Sequence, residues 1–467
     1  MKLARHVRKI FLLLFLLAAS ISTVMGAEAG VLKVGVAKID STPTDLTGLT
    51  NQWLTRFAGV HDHLYVRALV LDNGVNSAAI VSVDLMEFFD TSTLRERIAK
   101  EVGISADHLI LTATNDYSAP RAGGVNQASL AQKNATGSVA YYQKLYDQIV
   151  EALRQAKATE QPARMGIGTG ASYVNINRDE YTAKGWIQGI NPNGISDRTV
   201  WVVKFETLSG DPIGVLFNYG VHSVVAGPQS DQLTGDLAGA AERYVEQHYK
   251  DKAVALFTIG PAGDQNPAFI GPSQQPQEAM PIFATIDAEG LMLGAEVVRM
   301  ANRIQSATTT ARIEAAEKEF TCARRARQQG FQSGQDPLKL QAQGAAGQSP
   351  AQGQPQGAGQ APPQAPPPPR HPESPEIKVR LGLILLNDIA FTSVSGEAVT
   401  NVYWRLKKTS PLANTILITM ANDSVGYIVD DASYDTPNFE ASKTPLVRGC
   451  AEDALIDGLV GMINQYK

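Results

Sequence analysis

The chain has 467 residues, 44% of them hydrophobic and 19% charged, and a formal net charge of −5. That balance is ordinary for a globular protein and long enough for one large domain or two smaller ones. A mildly acidic chain without a basic stripe excludes nucleic acid as an expected partner.

The N-terminus carries a basic head at Lys2, Arg5, Arg8 and Lys9, then an apolar core from Ile10 to Ile21, then small residues at Gly26 and Ala27. These are the parts of a secretory signal. The core is shorter than the about 20 apolar residues that a spanning helix needs. Residues 1–27 are therefore expected to be a cleaved signal, with an uncleaved anchor as the alternative. The mature chain is expected in a periplasm or outside the cell, with no stable transmembrane segment.

After the signal, strand and helix patterns alternate. VLKVGVAKI, LYVRALVLD, AAIVSVDLM and HLILTAT read as strands, and TLRERIAKEVG and YYQKLYDQIVEALRQAKA as helices. TVWVVKFET and PIGVLFNYG predict a hairpin turning at Ser209-Gly210-Asp211. DLAGAAERYVEQHY reads as a helix, AVALFTIG as a strand and AEGLMLGAEVVRMANRI as a helix. Helices interleaved with buried strands indicate an α/β fold, a mixed sheet covered by helices.

Residues 328–372 stand apart, being mostly Gln, Gly, Ala and Pro. Such a stretch has too few large apolar side chains to offset its ordering entropy. It is expected to be a disordered insertion. IKVRLGLILL and FTSV follow it as strands, which need a sheet to pair with. The expected organisation is one domain over 28–327 and 373–467, interrupted once. Cys322 and Cys450 are the two cysteines. In an oxidising compartment they either pair or remain two thiols. Neither belongs to a CxxC or Cys/His cluster, which excludes a thiolate zinc site.

Four strand exits are unusually polar or glycine-rich. HLILTAT runs into Asn115-Asp116-Tyr117-Ser118-Ala119-Pro120-Arg121-Ala122-Gly123-Gly124, and VLFNYG into Val221-His222-Ser223. AVALFTIG runs into Gly260-Pro261-Ala262-Gly263-Asp264-Gln265-Asn266-Pro267, and FTSV into Ser395-Gly396-Glu397. In open α/β sheets, ligands bind where strands give way to loops. Each exit alone also reads as a plain turn. Glu397 also reads as a helix N-terminal carboxylate, with Ser395 as the cap of AVTNVYWRL. Tyr427 also reads as a core aromatic, and His222 as a hydrogen-bonded core histidine.

Together, and in this order, the exits resemble those of the neutral ceramidases, zinc amidohydrolases. In that family they read Thr-His-Thr-His-Ser-Gly-Pro-Gly, Asn-x-x-x-His-Pro, Gly-Asp-Val-Ser-Pro-Asn and Pro-Gly-Glu, followed by a Tyr-rich segment. Gly59-Val60-His61-Asp62-His63, the Val-Ser-x-Asp of Val81 to Asp84, and Val174-Asn175-Ile176-Asn177-Arg178 are similar to further family segments. The resemblance runs from about Leu32 to the C-terminus.

The resemblance implies a metal site at His222, Glu397 and Tyr427. Asn115 and Tyr117 stand where the family has its His-x-His pair. Zinc is the implied ion, but an amide oxygen at Asn115, or the carboxylate of Asp116, makes the set harder and richer in oxygen, which also suits calcium, magnesium or manganese. The family's nucleophilic serine falls on Asn266. Hydrolysis would then rely on activated water. His61, Asp84, Asp236 and Asp264 are candidates to orient or deprotonate it, with Asp236 or Arg178 against the substrate. Arg178 suits a carboxylate or an oxyanion. Ser118 and Ser223 are rival nucleophiles. The implied function is hydrolysis of an amide or related acyl bond in a small molecule or lipid. The alternative is a ceramidase-like fold that binds lipid or carbohydrate without turnover.

Overall fold

The computed structural model describes residues 29–123, 125–183, 185–228, 230–269, 281–326 and 374–467. The expected export signal and the Gln/Pro stretch lie outside the described residues.

The strand-forming runs build an eight-stranded sheet. Its members are β1 (Lys33–Asp40), β2 (Tyr65–Asp72), β3 (Ser77–Val83), β4 (Leu109–Ala113), β5 (Gln161–Ala171), β8 (Thr199–Thr207), β9 (Pro212–Tyr219) and β10 (Val254–Ile259). β6 (Asn175–Thr182) and β7 (Gly185–Asn191) form a separate hairpin. The spatial order of the large sheet is β10-β9-β8-β5-β1-β2-β3-β4. The sheet is mixed. Interior neighbours are antiparallel, while β3–β4 at one edge and β9–β10 at the other are parallel. Each parallel pair needs a crossover. Helix α1 (Ser92–Val102) makes the first, and α3 (Asp236–His248) makes the second. The expected β8–β9 hairpin turns through Gly210, whose φ of 99° suits a residue without a side chain.

The segments after α4 (Ile282–Arg303) do not extend this sheet; they make a second one. β12 (Ile313–Ala323) pairs along its whole length with β13 (Glu376–Leu386), across the Gln/Pro stretch. β14 (Ile389–Val394) pairs antiparallel with β13 and parallel with β16 (Asn414–Ile418), joined through α5 (Thr400–Thr409). The tail thus returns to the chain that precedes the insertion.

Alternation of side chains places two cores on each sheet. Along β13, Ile384 and Leu386 pack with Leu69, Ile80 and Ile110 of the large sheet. Val379, Leu381, Leu383 and Leu385 pack outward against Val402, Leu406, Leu455 and Leu459. The last two belong to α6 (Ala451–Tyr466). On the far face of the large sheet, Leu145 and Ile149 of α2 (Ser138–Ala158) cover Val66, Val81 and Leu111. Leu237, Val245 and Leu293 of α3 and α4 cover Val202, Val215 and Phe257. The result is four layers, helix, sheet, sheet and helix. Residues just past β16 tie the edges together. Thr419 N–H donates to Ile259 O on β10, and Ala113 N–H on β4 donates to Met420 O.

Cys322 and Cys450 form a disulfide, closing a span of 128 residues that includes the insertion. Cross-linking so long a span removes much chain entropy from the unfolded state. Replacing both cysteines by serine is expected to cost roughly 2–5 kcal/mol of unfolding free energy. Paired denaturant titrations of wild type and double variant measure that difference.

Candidate functional site

The carboxyl ends of β4, β9, β10 and β14 open toward one region, and the loops there carry most of the predicted residues. Local pairing then sets them side by side. After β14 the chain forms β15 (Glu397–Ala398), which pairs parallel with β17 (Tyr427–Ile428). That register sets Glu397 directly beside Tyr427. β11 (Gln265–Pro267) pairs with β6, so Asn266 faces Ile176, and Arg178 N–H donates to Asp264 O at 3.0 Å.

Arg178 stands at the centre, 4% exposed. Its Nε donates to Glu440 Oε1 at 2.7 Å, its Nη1 to Asn266 Oδ1 at 3.2 Å, and its Nη2 to Tyr427 Oη at 3.0 Å. Nη1 is also 3.5 Å from His222 Nε2. His222 is fully buried, with Nδ1 2.8 Å from the Gln265 carbonyl and Nε2 3.0 Å from Glu397 Oε2. The Tyr117 ring lies 5.9 Å from the His222 ring, centre to centre. Burial, with Glu397 nearby, pushes the Tyr427 phenol well above its usual range and keeps it neutral.

The fit to a metal rests on these donors. The carbonyl against Nδ1 fixes the proton there, so Nε2 presents its lone pair. An acceptor then faces the Glu397 carboxylate at 3.0 Å, an arrangement that a cation or a second proton between them would satisfy. Asn115 is fully buried, and neither its Oδ1 nor its Nδ2 has a hydrogen-bond partner among the described residues. An imidazole, a carboxylate and a phenol are usable donors for a divalent ion, and the unpartnered amide of Asn115 precedes the Asp116–Ser223 bridge beside them. Among the described residues no three His, Cys, Asp or Glu side chains gather at metal-ligand spacing. Arg178 also brings positive charge to the same spot, which opposes a cation there.

Other predicted residues are engaged elsewhere. Asp84 accepts from Tyr65 N–H at 2.7 Å and pairs with the buried Arg67. Asp236 spends its carboxylate on the backbone N–H groups of Val225, Ala226 and Leu237, which fixes the loop that follows His222. His61 stacks on Phe283 with ring centres 3.9 Å apart and bonds Asp62. Asp264 lies beneath the site, accepting from Thr400 N–H and Oγ1 and from Asn177 Nδ2. Burial pushes its carboxyl up to about 6. Asp264 thereby does the capping expected of Ser395, whose Oγ instead accepts from Arg380 N–H. Ser223 Oγ donates to Thr114 O, and Ser118 Oγ is buried without a partner among the described residues.

Two contributors were not singled out in the sequence. Glu440, fully buried, anchors Arg178 from 262 positions away. A Glu in the first turn of a short helix reads as a dipole-stabilising residue, so nothing marked it. Glu87 accepts from Ser424 Oγ at 2.5 Å, on the loop leading to Tyr427. Burial pushes its carboxyl up to about 7. Its position three residues past Asp84 was the available signal.

Residues 33–323 match the family described as neutral/alkaline non-lysosomal ceramidase, N-terminal. The chain is 27% identical over 241 residues to neutral ceramidase A of Dictyostelium discoideum, covering 46% of this chain. The match spans 32%, about a third, of that relative's length. The fold is similar to the crystal structure of neutral ceramidase from Pseudomonas aeruginosa, at TM-score 0.69 and 17% identity, over 94% of this chain and 75% of the other. A ceramidase structure complexed with C2 superposes with the same TM-score and identity, over 93% and 75%. The ordered strand exits, the four-layer fold and the match over residues 33–323 have one conclusion: the chain belongs to the neutral/alkaline ceramidase family.

Proposed function

We propose that the chain is an exported hydrolase that cleaves the amide, or a related acyl bond, of an N-acyl lipid of the ceramide class. The observation that carries this reading is the convergence of His222, Glu397, Tyr427 and Asn266 around Arg178. His222, Glu397, Tyr427 and the Asn115 amide would hold a divalent ion, zinc first. When bound, it would supply Lewis-acid polarisation of the acyl carbonyl. The chain's own residues do the rest. Arg178 offers fixed donors to negative charge developing on the carbonyl oxygen. Asn266 already accepts from Arg178 through Oδ1, which leaves its Nδ2 to donate to the same oxygen. An amide nitrogen is no nucleophile, because its lone pair is delocalised, so water is the attacking group. Glu87, near neutrality, is suited to exchange protons with that water.

Export rests on the N-terminal sequence. No helix among the described residues is long and apolar enough to cross a membrane. The test is hydrolysis of a fluorescent N-acylsphingosine by the purified mature chain, before and after chelation. Turnover lost on chelation and restored by zinc is expected. Lipid binding without turnover, by a metal-free protein, would favour the binding-module reading instead.

A further inference from the structure

Where β2, the end of β3 and α3 meet lies a buried charged layer. Arg67, 1% exposed, pairs with Asp84, Glu242 and Glu246, and Lys38 also pairs with Glu246. Asp62 pairs with Arg243. The fully buried Asp116 lies near enough to Asp236, Asp84 and Asp62 for their charges to act on it. Six carboxyl groups (Asp62, Asp84, Asp116, Asp236, Glu242, Glu246) therefore share the layer with Lys38, Arg67 and Arg243, and His61 lies against Asp62. Unpaired charge at such depth is costly unless something compensates it.

The shortfall has a location. Asp62 and Asp236 have donors on both carboxylate oxygens. Asp84 Oδ1 and Asp116 Oδ2 have none among the described residues, and neither does the hydroxyl of Thr114. All three residues are 0% exposed. They sit on adjoining extensions of parallel strands. Thr114 N–H donates to Val83 O, and Asp116 N–H to Leu85 O, which sets Asp84 level with Thr114. Gly235 lies against the same carboxylates, its Cβ position 3.6 Å from Asp84 Oδ2 and 3.5 Å from Asp62 Oδ1.

We propose that Asp84, Thr114 and Asp116 hold a buried hard divalent cation of the calcium class, separate from the candidate catalytic ion. The donors are all oxygen, two of them carboxylate, which selects calcium or magnesium over zinc. Backbone carbonyls and water complete such a shell. Water there also serves Arg67 Nη2, which lacks a partner among the described residues. The ion's consequence is mechanical. Asp116 lies between Asn115 and Tyr117 and forms a bridge with Ser223, next to His222. Fixing Asp116 fixes the floor of the site.

Elemental analysis of the purified mature chain, equilibrated with calcium and then desalted, tests this. Stoichiometric calcium is expected in wild type and in His222→Ala, which removes the principal ligand of the other ion. Asp116→Asn and Thr114→Val should lose it. Chelation by EGTA should lower the melting temperature of wild type by several degrees and leave Asp116→Asn unmoved. Thr114→Val guards against misfolding, since it keeps shape and charge. A wild type free of calcium and magnesium overturns the proposal, as does undiminished calcium in Asp116→Asn. A metal-free wild type that Asp116→Asn stabilises would assign the layer a shared proton instead.

Discussion

Replacing His222 by alanine is expected to lower kcat/KM by about 10³-fold or more, above the 10²–10³ that losing one preorganised donor costs. His222 stands between two supports that fix its role. The Gln265 carbonyl holds Nδ1 at 2.8 Å, and Glu397 Oε2 lies 3.0 Å from Nε2. Deleting the ring removes the nitrogen donor of the proposed ion and leaves the Glu397 carboxylate, 5% exposed, facing an empty space. Part of any loss could come from a destabilised fold, because an unpaired buried carboxylate is costly. His222→Gln separates the two effects, since it fills the space and can still bond Glu397. Both variants should lose activity and zinc together, with His222→Gln melting close to wild type. His222→Gln retaining wild-type kcat would remove the histidine from the chemistry.

The candidate site was legible in the sequence where it depends on strand exits. Apolar runs ending in Asn115, His222, Asp264 and Glu397 announce both a buried strand and a polar turn, and pairing between the loops past those ends, Asp116 with Ser223 and Gly263 N–H with Ala398 O, brings them together. What the sequence could not show is which neighbours claim each side chain. Asp84 looks the same as Asp264 in the sequence, but Arg67 lies against one and Thr400 against the other. Glu440 reaches Arg178 only because the last third of the chain folds back over β6. The pairing of Glu397 with Tyr427 depends on a two-residue ladder too short to leave any periodic signal.

The fold shows the same division. Alternating strands and helices predicted a mixed sheet with helical cover, and the structure has it. The second sheet was not legible, because β13 and β14 would read equally well as extra strands of the first. Their inner residues, Ile384 and Phe391, meet Leu69 and Ile80 face to face rather than edge to edge. Spacing along the chain carries no information on that choice. The cysteines are a similar case. Cys322 ends β12, Cys450 precedes α6, and only the packing of that helix on the second sheet brings them together.

Replacing Arg178 by alanine is expected to lower kcat/KM by about 10²–10³-fold, the scale of losing one preorganised donor to an oxyanion. The guanidinium is held by a carboxylate at Nε, an amide oxygen at Nη1 and a phenol at Nη2, so its direction is fixed before substrate arrives. Arg178→Lys keeps the charge but not the planar fork, and should recover only a small part of the loss. Glu440→Gln tests the anchoring separately. It keeps shape and one acceptor but removes the charge facing Nε, so kcat should fall less than in Arg178→Ala while KM changes little. The carboxylate acts only through the arginine, so adding Glu440→Gln to Arg178→Ala should change kcat no further. If the two losses multiply instead, Glu440 acts on the substrate directly and the positioning role is refuted. If Arg178→Ala retains wild-type kcat/KM, the guanidinium serves the fold alone, and the oxyanion must be met by Asn266 without it.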